Sequence, residues 1–349
     1  MKTKSLQFGK AMSAALFVLL LSVAGMKNAL AQNQVATLQH GDDISVFYGQ
    51  NGYSSACSAA VDGDIITLSS GTFAGSAVSK SITVHGAGCV YDSVTNVLPT
   101  KITGDFAISH NDVLFEGIWF TGSIRIPSQS VSFGPSSSYS NICFEKCNIA
   151  KIYNNSNTAY YTYFLQFNNC LINDCSSRLF HGTSIVNSVV KFSEYTHTDV
   201  YNLTSIYNSI ILFDNGLAIK NINAFNSIVV TISGHAVSNC TFNNCIGIQT
   251  GETSLFDGQI VQNVITVNDY SDVFETFAGT VFYDNWYQIK EEIATSFLGN
   301  DGTEVGIYGG MLPYTPRPSY MIIKRCNVAP RSTVDGKLSV DIEVLTDDE

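Results

Sequence analysis

Positive charge is scarce in this chain. It has 18 Lys and Arg against 29 Asp and Glu, for a formal net charge of −11, and its basic residues are scattered rather than grouped. That excludes a nucleic-acid surface, which needs a contiguous basic stripe. It also disfavours acidic polymers such as uronans unless a cation bridges them, and leaves neutral or cationic partners. Tight CxxC pairs are missing as well. The nine cysteines include the pairs Cys143/Cys147, Cys170/Cys175 and Cys240/Cys245, whose separations are wrong for a zinc site. No metal or other cofactor is expected, with calcium left open. Beyond the N-terminal region no apolar run is long enough to span a bilayer, so the protein is expected not to span one.

The first 31 residues differ from the rest. Lys2, Lys4 and Lys10 precede an apolar run from Ala14 to Ala24, and Ala29-Leu30-Ala31 precedes Gln32. This is the pattern of a secretory signal peptide with a small-x-small cleavage site near Ala31. Its removal takes four Lys and no acid, so the formal charge of −11 becomes −15. The expected destination is the periplasm, the outer surface or the medium of a Gram-negative bacterium.

What the chain has in abundance is a short repeated phrase: an apolar residue, a polar one that is usually Asn, a small residue, then aliphatics. Its small positions are Cys147, Cys170, Ser188, Ser209, Ser227, Cys245 and Val264, spaced by 23, 18, 21, 18, 18 and 19 residues. A β-rich period near 20 without helical spacing marks a solenoid. A coil of that length holds three short strands, and stacking coils pairs each strand in parallel with its copy about 4.8 Å away. Asn169, Asn187, Asn208, Asn226, Asn244 and Asn263 are expected to form one interior amide ladder, since Asn tolerates a left-handed bend and its amide can bond those above and below. Lys146 breaks the ladder at the first coil. The small residues form a neighbouring buried stack, in which Cys147 and Cys170 come within disulfide range.

On these repeats the chain resembles the secreted right-handed parallel β-helix proteins of the pectate-lyase-like superfamily, whose Asn ladders have this form. The phrases Gly63-Asp64-Ile65-Ile66-Thr67-Leu68 and Lys80-Ser81-Ile82-Thr83-Val84-His85-Gly86-Ala87-Gly88 are similar to the first full coil of many such proteins. The resemblance implies an all-β, right-handed, single-stranded parallel β-helix (a β-solenoid) of about ten coils with an N-terminal cap. The expected organisation is a signal peptide over 1–31, a cap over 32–63 with a small-residue helix from Asn51 to Val61, the β-helix over 64–310, and a closing segment with a terminal strand over 311–349. A short helix or irregular last coil is expected between Trp286 and Phe297.

The resemblance supplies no reaction. Relatives carry calcium-binding Asp with a catalytic Arg or Lys, or an Asn-Thr-Asp, Asp-Asp, His-Gly and Arg-x-Lys set. Here Asp42-Asp43 lies in the cap and His181-Gly182 has no companions. Two weaker constellations remain. Asp174, Glu194 and Asp214 fall at similar offsets in successive coils and are the candidate carboxylates for glycosidic hydrolysis, with His181 and His197 as nearby bases. Tyr153, Tyr160, Tyr161 and Tyr163 cluster around one long excursion, and phenols on a loop suit stacking on sugar rings. The favoured expectation is a non-catalytic exported scaffold, adhesin-like or glycan-contacting, with a neutral polysaccharide or surface glycan as partner. The alternatives are a polysaccharide hydrolase on the carboxylates and a structural rod without a ligand.

Overall fold

The structure, a computed structural model, describes residues 34–92, 97–127, 139–153, 163–176, 182–194, 204–213, 219–231, 237–249, 255–276, 287–317, 322–328 and 340–345. The signal-peptide region lies outside these residues.

Each phrase folds as strand, one-residue corner, strand. The corner is the Asn, or Lys146 in the first phrase. These residues hold φ between 45° and 54°, the left-handed region that Asn visits more readily than most residues because its short side chain can hydrogen-bond locally. Before the corner, alternate residues such as Ile142, Phe144, Leu165 and Phe167 point inward and are fully buried. The rings of Phe115, Phe144 and Phe167 stack rung on rung at 5.6 Å. Repetition of this unit in parallel register gives an all-β, mostly parallel solenoid of about eight turns. Among the described residues the last strand of the stack is Ile260–Val267.

Two long parallel stacks form the sides of the rod. The first sheet holds the strands before the corner, from Asp64–Leu68 to the start of Ile260–Val267. The second holds those after it, such as Asn148–Tyr153, Leu171–Ser176 and Val189–Glu194. At the N-terminal end Val35–His40 pairs antiparallel with Asp64–Leu68 and with Asp43–Tyr48, and the helix Gly52–Ala59 buries Tyr53 and Ala56 over the end of the core. The antiparallel pairing occupies backbone groups that would otherwise be left open at the edge.

The small stack carries the side-chain ladder. The hydroxyl of Ser188 accepts from Cys170 N–H at 2.9 Å, that of Ser209 from Ser188 N–H at 3.1 Å, and that of Ser227 from Ser209 N–H at 3.1 Å. Each donates to the carbonyl two residues before it, at 2.7 Å. Cys147 and Cys170 are neighbours in this stack, and both are free thiols, as are the other described cysteines.

The Asn side chains mostly bond elsewhere. Asn263 donates to Asn244, but Asn187 Nδ2 donates to the carbonyls of Ile307 and Gly309 at 2.9 and 2.8 Å. Asn226 Nδ2 donates to Asn300 Oδ1 at 2.9 Å, and Asn169 Oδ1 accepts from Thr315 N–H at 3.0 Å. The expected ladder is thus an outward-facing line of amides on which a C-terminal strap, residues 299–315, is laid.

The same C-terminal region seals one flank. Outward positions of the second sheet read Lys101, Trp119 and Asn148 and then become Leu171, Val189, Ile210, Ile228 and Ile246. The aliphatic part is buried under Val273, Phe274, Tyr287, Ile289, Phe297, Val305, Ile307 and Tyr314. Removing a Val or Ile side chain from water stabilises by about 1.5–3 kcal/mol, so this column fixes the region to the flank. It includes the short helix Glu291–Ser296, inside the span where one was expected. The terminal strand Val340–Leu345 pairs antiparallel with Ile322–Val328.

Two substitutions should change stability. Thr183 is 1% exposed and its Oγ1 is buried without a hydrogen-bond partner, so Thr183→Val should raise unfolding free energy by about 1 kcal/mol, seen as a higher guanidinium midpoint. Asn187→Ala should cost about 2–4 kcal/mol, because it strips two buried carbonyls of their donor and puts Ala at a left-handed corner. A midpoint unchanged by either substitution contradicts the assignment.

Candidate functional site

Among the described residues, the outer face of the first sheet has no counterpart of the strap, and its side chains range from buried at Glu116 to exposed at Tyr207. Its outward positions form two in-register columns. The one beside the Asn corner reads His85, Glu116, Glu145, Asn168, Val186, Tyr207, Phe225 and Asn243 along the rod. The one further from the corner reads Cys143, Gln166, Ser184, Ser205, Asn223 and Thr241. Alternation in a strand puts both columns on one surface.

The first part of this surface is acidic. Glu116 is 5% exposed and its Oε2 accepts from His85 Nδ1 at 2.9 Å. Glu145 sits on the next rung and accepts from Asn168 Nδ2 at 3.3 Å. Register places the two carboxyl-bearing residues about one rung, ~4.8 Å, apart. The thiol of Cys143 is pushed up to about 12, by burial first and then by the charge of Glu145.

The remainder of the surface changes character. Tyr207 is 41% exposed and stacks on Phe225 with centroids 5.1 Å apart and planes 9° apart. Across the Ser184/Ser205 column lies a second line of left-handed corners that the repeated phrase did not signal: Asp112, Asn141, Phe164, Asn221 and Asn239 all have φ of 55–56°, with glycines at 63, 182 and 258. Phe164 stands out, because a bulky ring at positive φ is a steric outlier. Its ring is 60% exposed and lies against Gly182, where an added Cβ would be 3.5 Å from ring carbons.

The residues singled out from the sequence lie elsewhere. Asp174 is on the outer side of the second sheet, where Lys151 Nζ donates to it at 2.8 Å. Tyr153 shares that neighbourhood, its ring centroid 5.8 Å from the same ammonium. Glu194 pairs in register with Ser176, two positions past Asp174, because it lies six residues after Ser188 whereas Asp174 lies four after Cys170. Tyr163 enters the first sheet opposite Ser140; its side chain and that of Glu194 lie outside the described residues, as do Asp214, Tyr160, Tyr161, His181 and His197. The structure therefore brings Asp174 and Tyr153 together around Lys151 and away from the acidic and aromatic surface of the first sheet. On the same sheet, Lys101 Nζ sits 4.1 Å from the centroid of the Trp119 ring, a cation–π contact that occupies one ring face. Among the described residues no three His, Cys, Asp or Glu side chains are arranged to hold a metal, and no helix is long and apolar enough to cross a membrane.

The thiols give a pH prediction. Burial raises Cys57 and Cys245 to about 11 and Cys143 to about 12 from an ordinary 9.0. The folded state then keeps protons that the unfolded state has released, so stability is complete below pH 9 and falls as pH climbs through 11–12. Native protein at pH 8 should react slowly with a disulfide reagent at the buried Cys57 and Cys245, and prompt labelling of both would refute their burial.

No protein-family model matches the chain, and no curated protein or solved structure does either.

Proposed function

We propose that the protein is an exported β-solenoid scaffold, of the pectate-lyase-like architecture its repeats resemble, that holds a glycan against the open outer face of its first sheet. One observation carries the reading: the chain covers the aliphatic flank of the second sheet with its own C-terminal region, yet among the described residues nothing is laid over the two in-register columns of the first, where Tyr207 is 41% exposed. Those columns supply hydroxyls, amides and aromatic rings at regular intervals, the groups that match a polymer of hydroxylated rings. The signal-peptide pattern of residues 1–31 supports delivery to a compartment where such polymers are met. The −11 formal charge favours an uncharged partner over an acidic one.

A second reading is favoured by one feature. Glu116 and Glu145 stand side by side, near the separation of about 5–5.5 Å that retaining glycosidases use, and they replace Asp174, Glu194 and Asp214 as the carboxylates of a hydrolase. Residues 32–349 should be passed over immobilised neutral and acidic polysaccharides, with reducing ends measured in parallel. Retention on a neutral polysaccharide without new ends is the expected result. New ends that disappear in Glu145→Gln move the protein to the hydrolases, and no retention on any glycan sinks the proposal.

A further inference from the structure

We infer that the protein forms a closed two-fold dimer, in which the cap strand Asp43–Tyr48 pairs edge to edge with the same strand of a second copy and joins the first sheets of two rods into one. The inference does not depend on what the outer face of that sheet holds.

The first sheet ends in two edge strands. Its order is Asp43–Tyr48, Val35–His40, Asp64–Leu68 and then rung by rung to Ile260–Val267. Among the described residues Asp43–Tyr48 pairs with Val35–His40 alone, so one side of its backbone is open. Gly49 N–H donates to the Gln34 carbonyl at 2.8 Å, one step beyond the facing pair of Val35 and Tyr48. Hydrogen-bonded pairs alternate along an antiparallel ladder. Asp43, Ser45 and Phe47 therefore direct their N–H and C=O groups at Val35–His40, and those of Ile44, Val46 and Tyr48 point to the open side.

The same three residues put apolar side chains on the outer face. They stand opposite Gln39, Thr37 and Val35, whereas the alternate residues Ala36 and Leu38 are buried. Ile44 is 67% exposed, Val46 46% and Tyr48 65%. Soluble proteins blunt such an edge with Lys, Pro or a bulge. Here residues 44–48 read Ile-Ser-Val-Phe-Tyr, without charge or proline, and the ladder has no register shift.

The strand is complementary to itself. Laid antiparallel on its copy with Val46 at the dyad, Val46 faces Val46, Ile44 faces Tyr48 and Tyr48 faces Ile44, which sets apolar against apolar on the outer face. These are the residues whose backbone groups are open, so each facing pair closes two hydrogen bonds. Asp43 then faces Gly49 and Asp42 faces Gln50, so no two acids meet. On the inner side Ser45 faces Phe47, and the cap helix Gly52–Ala59 exposes only Ser55, Ser58 and Ala59, side chains small enough for two caps to approach. Because outward residues face outward residues, the dyad stands perpendicular to the sheet. Both rods then turn their first-sheet outer faces to the same side, with their last rungs pointing apart.

The opposite edge supplies the competing arrangement. Ile260–Val267 turns a corner at Asn263, where φ is 49°, and only a strand running in the rung direction follows it round. Asp43–Tyr48 runs that way, being antiparallel to a strand that is itself antiparallel to the first rung. A head-to-tail stack would therefore pair it with Ile260, Val261 and Gln262 before the corner and open into a filament. The two-fold contact pairs the cap strand along its whole apolar length, and it closes.

The test is sedimentation equilibrium of residues 32–349 over a range of concentrations, where the mass should approach that of two chains and fall to one on dilution. Val46→Lys sets two ammonium groups face to face at the dyad and should weaken the dimer about a hundredfold. The unfolding midpoint of the dilute monomer should stay level, because residue 46 reaches solvent there. Val46→Cys should cross-link to its copy under mild oxidation, since facing Cα atoms about 5.5 Å apart lie in disulfide range; the parent chain and Ser45→Cys should not. Added salt should tighten the dimer, since both copies are acidic. A single-chain mass at every concentration overturns the inference, as does a dimer that survives Val46→Lys. Growth past two chains that Ile260→Lys stops replaces the dimer with the head-to-tail filament, and dissociation by salt replaces strand pairing with a contact held by charge.

Discussion

The fold depends on one constraint, the left-handed corner made by a single residue. A strand can turn onto the next side of the coil in one residue only if φ becomes positive, and Asn adopts that geometry at 169, 187, 208, 226, 244 and 263. Because each corner is the same length, the residue after it always lands inside, and that position is small: Cys147, Cys170, Ser188, Ser209, Ser227 and Cys245. A larger side chain there would collide with its copies one rung away. The Ser hydroxyls then tie each rung to its neighbour through the backbone. Lys146 is the exception among these corners, with φ 50° and 8% exposure, so the first phrase keeps the geometry without the amide.

Equal corners also explain why the outer surface has columns at all. Parallel in-register pairing places each outward residue over its counterpart, so a chemical preference repeated in sequence becomes a line in space. The two sheets use this differently. On the second sheet the line is aliphatic from Leu171 onward and is roofed by the chain itself. On the first it carries His85 and then the acidic Glu116 and Glu145, and becomes neutral and aromatic beyond them. One flank is thus sealed by the chain itself, while among the described residues the other is not.

Much of the architecture was legible in the sequence, because the period and the Asn-small dipeptide report directly on the corner. The cap helix was legible from the small residues Ala56, Ala59 and Ala60. The roof was not read, although paired aliphatics such as Val189-Val190, Ile210-Ile211 and Ile228-Val229 signal a strand buried on both faces. The partners of the Asn amides were beyond local pattern, since Asn187 bonds residues 120 and 122 positions away. The second corner line escaped notice because Asp112, Asn141, Phe164 and Gly182 share no letter, only a sign of φ. The unequal offsets of Asp174 and Glu194, four and six residues past the small position, already place them two positions apart along neighbouring strands. The stacked Tyr207 and Phe225 lay in view in the sequence, each immediately before its corner Asn.

The strap gives the rod a mechanical character that nearest-neighbour stacking lacks. A plain solenoid resists tension only one interface at a time, so force applied at an end unwinds it rung by rung. Here residues 299–315 are fastened to corners at 226, 187 and 169, spanning several rungs at once. A pull on the C-terminal end directed along the rod toward the cap loads these fastenings together in shear, whereas a pull in the opposite direction peels Thr315 from Asn169 first. The molecule is thereby stiffer toward one end than toward the other, as a ratchet strap is.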